Sequence, residues 1–134
     1  SFDSSGNDLT DLIARGSNLD YQEAEKLKRK YGLLAEKNIR ETILPLVDLI
    51  VNEVKKIFQN FSQTENKVPQ KIILAGGSAF LPGLAEYFSE NLEKPVEIAN
   101  PFTDLYYPPV LEEILKEMGP SYTIAVGIAL RGLE

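Results

Sequence analysis

The sequence predicts an α/β fold, and three observations carry that prediction. Lys71-Ile72-Ile73-Leu74-Ala75 is a short, continuously apolar, β-branched run between Pro69 and Gly76, which suits a strand covered on both faces in a parallel sheet. Leu84, Phe88 and Leu92 then keep helical spacing, and Pro95 leads into a second strand, Val96 to Ala99. The three pieces make a β-α-β unit, expected to be right-handed. The third observation is a shortage: four or five helices accompany only two strands, and a two-stranded sheet is marginal without more strands beside it. The missing strands are expected either in a first part that precedes this chain or in another chain.

The helices follow in order. Ser4 to Asp8 is turn-like, and Asp8 is placed to cap a short helix running through Leu9, Leu12 and Ile13 to Gly16. Asp20 and Glu23 form a capping box, with Leu19 and Ala24 as the accompanying hydrophobic staple. A second helix therefore starts at Tyr21, keeps Ala24, Leu27 and Tyr31 at helical spacing, and ends at Gly32 in the left-handed conformation. On it Glu25, Lys28 and Arg29 stand at i, i+3 and i+4 and share one exposed face. Ile39 to Leu44 fits a short strand or a helical turn equally well. Pro45 suits the first turn of a long helix whose apolar stripe is Leu46, Leu49, Ile50, Val54, Ile57, Phe58 and Phe61.

Ser62 to Pro69 is a polar connector before the first strand. Gly76-Gly77-Ser78 makes the tight loop after that strand, and Pro82 opens the helix of the β-α-β unit. Asn100 to Pro109 reads as a loop, Val110 to Met118 as a helix stopped by Gly119 and Pro120, and Tyr122 to Leu130 as a final helix. Ala125, Gly127 and Ala129 give that last helix little bulk, so it is expected to pack very close to the sheet.

Composition narrows the function. The 134 residues are one domain's worth of chain, and 43% hydrophobic residues are enough for a core. Cysteine and histidine are both absent, which excludes disulfides, zinc sites built on those ligands, thiol nucleophiles and a Ser-His-Asp triad. Any catalysis would rest on carboxylates, Lys, Tyr or a bound metal. With 14 basic against 20 acidic residues the net charge is −6, so nucleic acid is not an expected partner. The one basic cluster, Lys26, Lys28, Arg29 and Lys30, reads as a solvated helix face. The longest apolar stretch, Ile124 to Leu130, is far short of the roughly 20 residues that span a bilayer, so direct membrane insertion is not expected. No basic-then-apolar leader precedes Ser1, and a cytoplasmic segment cut from a longer protein fits best.

Two places carry candidate chemistry, each with two readings. A Gly-Gly turn between strand and helix lets a ligand approach backbone, or merely allows close packing. Glu25, Lys28 and Arg29 form a polar ligand face, or a surface ion pair worth tenths of a kcal/mol. No Gly-Lys-Ser/Thr follows a glycine loop, and Gly76, Gly77 and Gly83 do not match a dinucleotide fingerprint.

Residues 72 to 84, IILAGGSAFLPGL, resemble the adenosine motif of the actin-like ATPase superfamily. The Glu23-Ala24-Glu25 to Lys28 pattern, the Pro95-Val96-Glu97 strand with Asn100-Pro101-Phe102, and the closing Ala125 to Gly132 narrow the resemblance to the PilM family of type IV pilus assembly proteins, with the cell-division FtsA family a more distant relative. Gly6-Asn7-Asp8-Leu9-Thr10 is similar to a Gly-Gly-x-x-Leu-Thr segment of that family, with Ser5 where its first glycine is usual.

The resemblance implies a partial actin-like (ribonuclease H-like) subdomain lacking its upstream strands, over residues 1–134. About 17–44 would be the smaller-subdomain helix region and about 45–134 the strand-helix core. It implies ATP as ligand, with Mg²⁺ in the longer parent, and an adenosine site of Gly76, Gly77, Ser78, Phe80, Glu25, Lys28 and Arg29. The carboxylate would accept from ribose hydroxyls, Lys and Arg would meet the purine, and the Phe80 ring would stack on it. Both phosphate loops, the catalytic carboxylates and the groove that grips a PilN-like cytoplasmic tail would lie upstream of Ser1. Leu133-Glu134 reads as an expression scar. The implied role is a cytoplasmic scaffold of pilus biogenesis, peripheral to the inner membrane through its partners. This part is expected to be inactive by itself, with the parent at most a weak ATPase, and to form a homo-oligomer that hides its open sheet. An FtsA-like protein or an actin-fold ATPase or sugar kinase are the alternatives.

Overall fold

The computed structural model describes residues 6–132, so the expectations for Ser5 and Leu133-Glu134 lie outside it. Helix α1 (Gly6–Ser17) buries Leu9, Thr10 and Ile13 against α2 (Tyr21–Tyr31) and the start of α3 (Lys37–Glu65). It begins earlier than the sequence suggested. Asp8 sits inside its first turn, where a carboxylate meets the positive end of the helix dipole, and is not its cap.

The capping box of α2 forms as expected: the Asp20 carboxylate accepts from the Glu23 N–H at 2.8 Å, and the Glu23 carboxylate accepts from the Asp20 N–H at 3.3 Å. Gly32 ends the helix at φ +48°, and a Cβ there would meet the Pro82 carbonyl oxygen at 2.6 Å. The next residue uses that same oxygen, since the Leu33 N–H donates to it at 2.8 Å. This contact ties the end of α2 to the turn that precedes α4 (Leu84–Leu92).

Helix α3 settles one open reading and corrects one expectation. Residues 39–44 are helical, the second of the two readings their pattern allowed, and Pro45 stands in the helix interior, not in its first turn. Ile39, Ile43, Val47 and Val51, each four residues after the last, are all buried and carry the apolar stripe straight across the proline. The Glu41 carbonyl that Pro45 leaves without its helical donor lies on the exposed side, where water can serve it. Leu46, Ile50, Val54 and Phe58 flank the stripe, while Leu49, Ile57 and Phe61, expected inward, are exposed. The left-handed Asn66 closes the helix, which runs without a break through residue 45.

Strands β1 (Ile72–Leu74) and β2 (Val96–Ile98) pair in parallel, with Ile72, Ile73 and Leu74 opposite Val96, Glu97 and Ile98. The β-α-β unit is therefore present. Its sheet is covered on one face only: Ile72 and Leu74 pack on the core, but Ile73 is 57% exposed. The continuous apolar run had suggested cover on both faces, and among the described residues no helix lies over the second one. Pro82 precedes α4 and does not open it, because the left-handed Gly83 is its N-cap.

The two expected C-terminal helices are one, α5 (Glu112–Arg131), with Pro120 inside it. Gly119 and Pro120 are buried, and the Pro120 carbonyl accepts from the Gly76 N–H at 2.7 Å. These residues anchor the helix; they do not stop it. Its last turns do not pack close to the sheet. Ile124 and Ile128 are 78% and 69% exposed, and a Cβ at Gly127 would meet nothing within 4 Å. Two strands make too narrow a sheet to reach under them. Among the described residues no helix is long and apolar enough to cross a membrane.

Candidate functional site

A cleft of about 780 Å³ opens between the α1 and α2 pair on one side and the Gly-Gly loop and α5 on the other. That volume is in the range of small-molecule sites, roughly 300–1,000 Å³. Its lining includes Glu25, Lys28 and Arg29 from α2, and Gly77, Ser78 and Phe80 from the loop. Six of the seven residues singled out in the sequence thus come together, from segments about fifty residues apart. The seventh, Gly76, does not line the cleft. It turns the chain out of β1 at φ +92° and hangs the loop from α5 through its bond to Pro120.

The loop is open to a ligand at Gly77. A Cβ built there would touch only the Ser121 hydroxyl, at an ordinary 3.5 Å, so the fold does not need a glycine for its own packing. Ser78 approaches the opposite wall instead: a Cβ on Gly6 would lie 2.3 Å from its hydroxyl oxygen. Phe80 is 45% exposed, which leaves ring surface available on the cleft side.

The polar side of the cleft is not the exposed face the helical spacing suggested. Lys28 is buried, because α1 docks over it. Its ammonium donates to the Gly6 carbonyl at 2.9 Å, to Thr10 Oγ1 at 2.7 Å and to Glu25 Oε2 at 2.6 Å. The Thr10 hydroxyl donates to the same Glu25 oxygen, and Arg29 Nε donates to Glu25 Oε1 at 2.7 Å. Burial alone would raise the pKa of the Glu25 carboxyl. The hydrogen bonds from Lys28, Thr10 and Arg29, together with the Lys28 charge, outweigh it and hold the group at about 2. The site therefore carries a permanent carboxylate beside an exposed guanidinium, a pair suited to polar hydroxyl-bearing ligands.

Sequence reasoning missed Gly6, Asn7, Leu81, Glu117 and Ser121 in the lining, and Thr10 beneath it. Glu117 and Ser121 are four residues apart on α5, a spacing hidden by reading Gly119-Pro120 as a break. Among the described residues no three carboxylates group as a metal site would require.

A family profile described as "Type IV pilus assembly protein PilM" matches residues 3–133. The solved structure titled "PilM-PilN type IV pilus biogenesis complex" contains a chain 35% identical to this one, superposing with a TM-score of 0.82 over 97% of this chain and 37% of that one. The ethanolamine utilization protein EutJ from Carboxydothermus hydrogenoformans is 24% identical, with a TM-score of 0.61 over 95% of this chain and 38% of its own, a likeness of fold. The cell division protein FtsA of Staphylococcus epidermidis is 30% identical over 75% of this chain and 26% of that protein. With its small parallel sheet and surrounding helices, the chain has a partial actin-like fold. It spans about a quarter of the length of the curated relatives and under two fifths of the structural ones.

Proposed function

The chain belongs to the PilM family of type IV pilus assembly proteins, and from that premise we propose that it is the adenine-nucleotide-binding part of a cytoplasmic actin-like scaffold of pilus biogenesis. One observation carries the nucleotide reading. The Gly77 backbone faces a cleft whose opposite wall holds Glu25 and Arg29, in a place where the fold itself would tolerate a side chain.

Adenosine is the moiety the cleft suits. Gly77 and Ser78 offer backbone for a flat purine to lie against, the Phe80 ring offers a face to stack on, and Glu25 with Arg29 offers an acceptor and donors for the sugar. Phosphates and Mg²⁺ are assigned to the parts of the longer relatives that this chain does not span. So is the contact with a PilN-like partner, after the complex in which the similar chain is found. No catalytic residue is assigned here. The likeness to FtsA covers less of the chain than the family match does, so pilus assembly is preferred to cell division.

Gly77→Ala tests the reading. The variant keeps the wild-type melting temperature within a few degrees, because a Cβ at this position has only a van der Waals neighbour, and it binds adenosine measurably more weakly in calorimetry. A variant that is equally stable and binds adenosine as the wild type does would refute the approach of the ligand to the Gly77 backbone.

A further inference from the structure

The hydrogen-bonding capacity of Lys28 and Glu25 can be counted, and the count divides the polar residues of the cleft into those free to meet a ligand and those that are not. An ammonium has three N–H donors. Those of Lys28 are matched by three acceptors, the Gly6 carbonyl, Thr10 Oγ1 and Glu25 Oε2, all within 2.9 Å. Lys28 keeps no donor for a ligand. A carboxylate offers about four acceptor positions. On Glu25, Oε2 receives Lys28 and the single Thr10 hydroxyl proton, which has the Gly6 carbonyl at 3.1 Å as a more distant alternative acceptor, and Oε1 receives Arg29 Nε. One acceptor position remains, on Oε1. The Arg29 side chain is 80% exposed and has four further N–H donors with no partner among the described residues.

We propose that Thr10 and Lys28 are positioning residues, which by filling Oε2 fix the Glu25 carboxylate so that the one remaining acceptor on Oε1, beside the Arg29 fork, selects a ligand carrying a sugar hydroxyl. Thr10 does this from beneath the cleft: it is fully buried on α1, fifteen residues from the carboxylate it holds. Lys28 also fixes the Gly6 carbonyl, so the rim of the cleft and its selecting oxygen are set by the same ammonium. Without the Thr10 hydroxyl, Oε2 keeps Lys28 but loses one of its two anchors, so the carboxylate is held less firmly in the orientation that aims Oε1 at the sugar. The inference rests on reading the cleft as a nucleoside site.

The test is the ratio of affinities for adenosine and 2′,3′-dideoxyadenosine, measured by calorimetry on the full chain as wild type, Thr10→Ser and Thr10→Val. A residue that merely holds the fold together lowers both affinities alike and leaves their ratio unchanged. The expected wild-type ratio is about tenfold, the worth of one hydrogen bond to a charged group. Thr10→Ser keeps it, and Thr10→Val brings it to within about twofold of unity. A Thr10→Val ratio equal to wild type overturns the inference while leaving the nucleoside reading intact; wild type binding neither nucleoside overturns that reading and this inference with it. Should Thr10→Val not fold, the wild-type Lys28 ammonium resonance decides. It is expected to be visible through slow exchange at neutral pH and to stay in place when adenosine is added. An ammonium signal lost to solvent exchange, or moved by the ligand as a direct contact would be, overturns the assignment.

Discussion

Lys28 is a buried cation whose three donors are all used, and the Glu25 carboxylate it holds contributes pH-dependent stability with a definite sign. The unfolded carboxyl titrates near 4.5 and the folded one at about 2, so the folded state binds fewer protons between those values. The contribution is complete above pH 4.5 and is lost as pH falls through 2, on the order of 3 kcal/mol in all. Chemical unfolding across that window is expected to show this acid limb in the wild type and a much weaker one in Lys28→Ala. An unchanged limb in the variant would place its origin at another carboxylate. The positions of Glu25, Lys28 and Arg29 on one face of α2 were legible from their spacing alone. The burial of Lys28 was not, because it depends on Gly6 and Thr10, eighteen to twenty-two residues earlier, docking over it.

Prolines and glycines decided where reading the elements succeeded and where it failed. Gly32 was read correctly as a terminator, though at ψ −127° it is not in the left-handed helical conformation expected, and the structure adds a tertiary reason: the positive φ and the Pro82 carbonyl 2.6 Å from any Cβ both exclude a side chain. Gly32→Ala is accordingly expected to lower stability by about 2–3 kcal/mol, read from denaturant midpoints. A loss below about 0.5 kcal/mol would mean that the contact between α2 and the Pro82 turn is dispensable. Pro45 and Pro120 were read as boundaries, yet both lie inside helices. A proline removes one donor and crowds one carbonyl, and here packing outweighs that local cost. Ile43 and Val47 are buried on either side of Pro45, and the Pro120 carbonyl serves the Gly-Gly loop. Local sequence contains the penalty but not the tertiary contacts that exceed it.

At the scale of the molecule, the two-stranded sheet and the bare end of α5 belong together. Ile73, Ile124 and Ile128 are each more than half exposed, an arrangement stable monomers rarely present over a wide area. The shortage of strands was legible by counting elements; the bare helix was not, since small residues in α5 suggested close packing against a sheet the chain does not supply. The chain is expected to self-associate with rising concentration in light scattering and to bind a dye for apolar surface, and Ile128→Lys to weaken both at unchanged stability. A monomer at all concentrations that binds no dye would refute this. The central claim is that this chain carries recognition of the nucleoside and not of the phosphates. The most direct measurement is a pair of calorimetric titrations of the full chain, one with adenosine and one with ATP. Weak dissociation constants agreeing within about threefold, a difference below 1 kcal/mol, are the predicted result. ATP binding a hundredfold tighter than adenosine, or no binding of either, would contradict it.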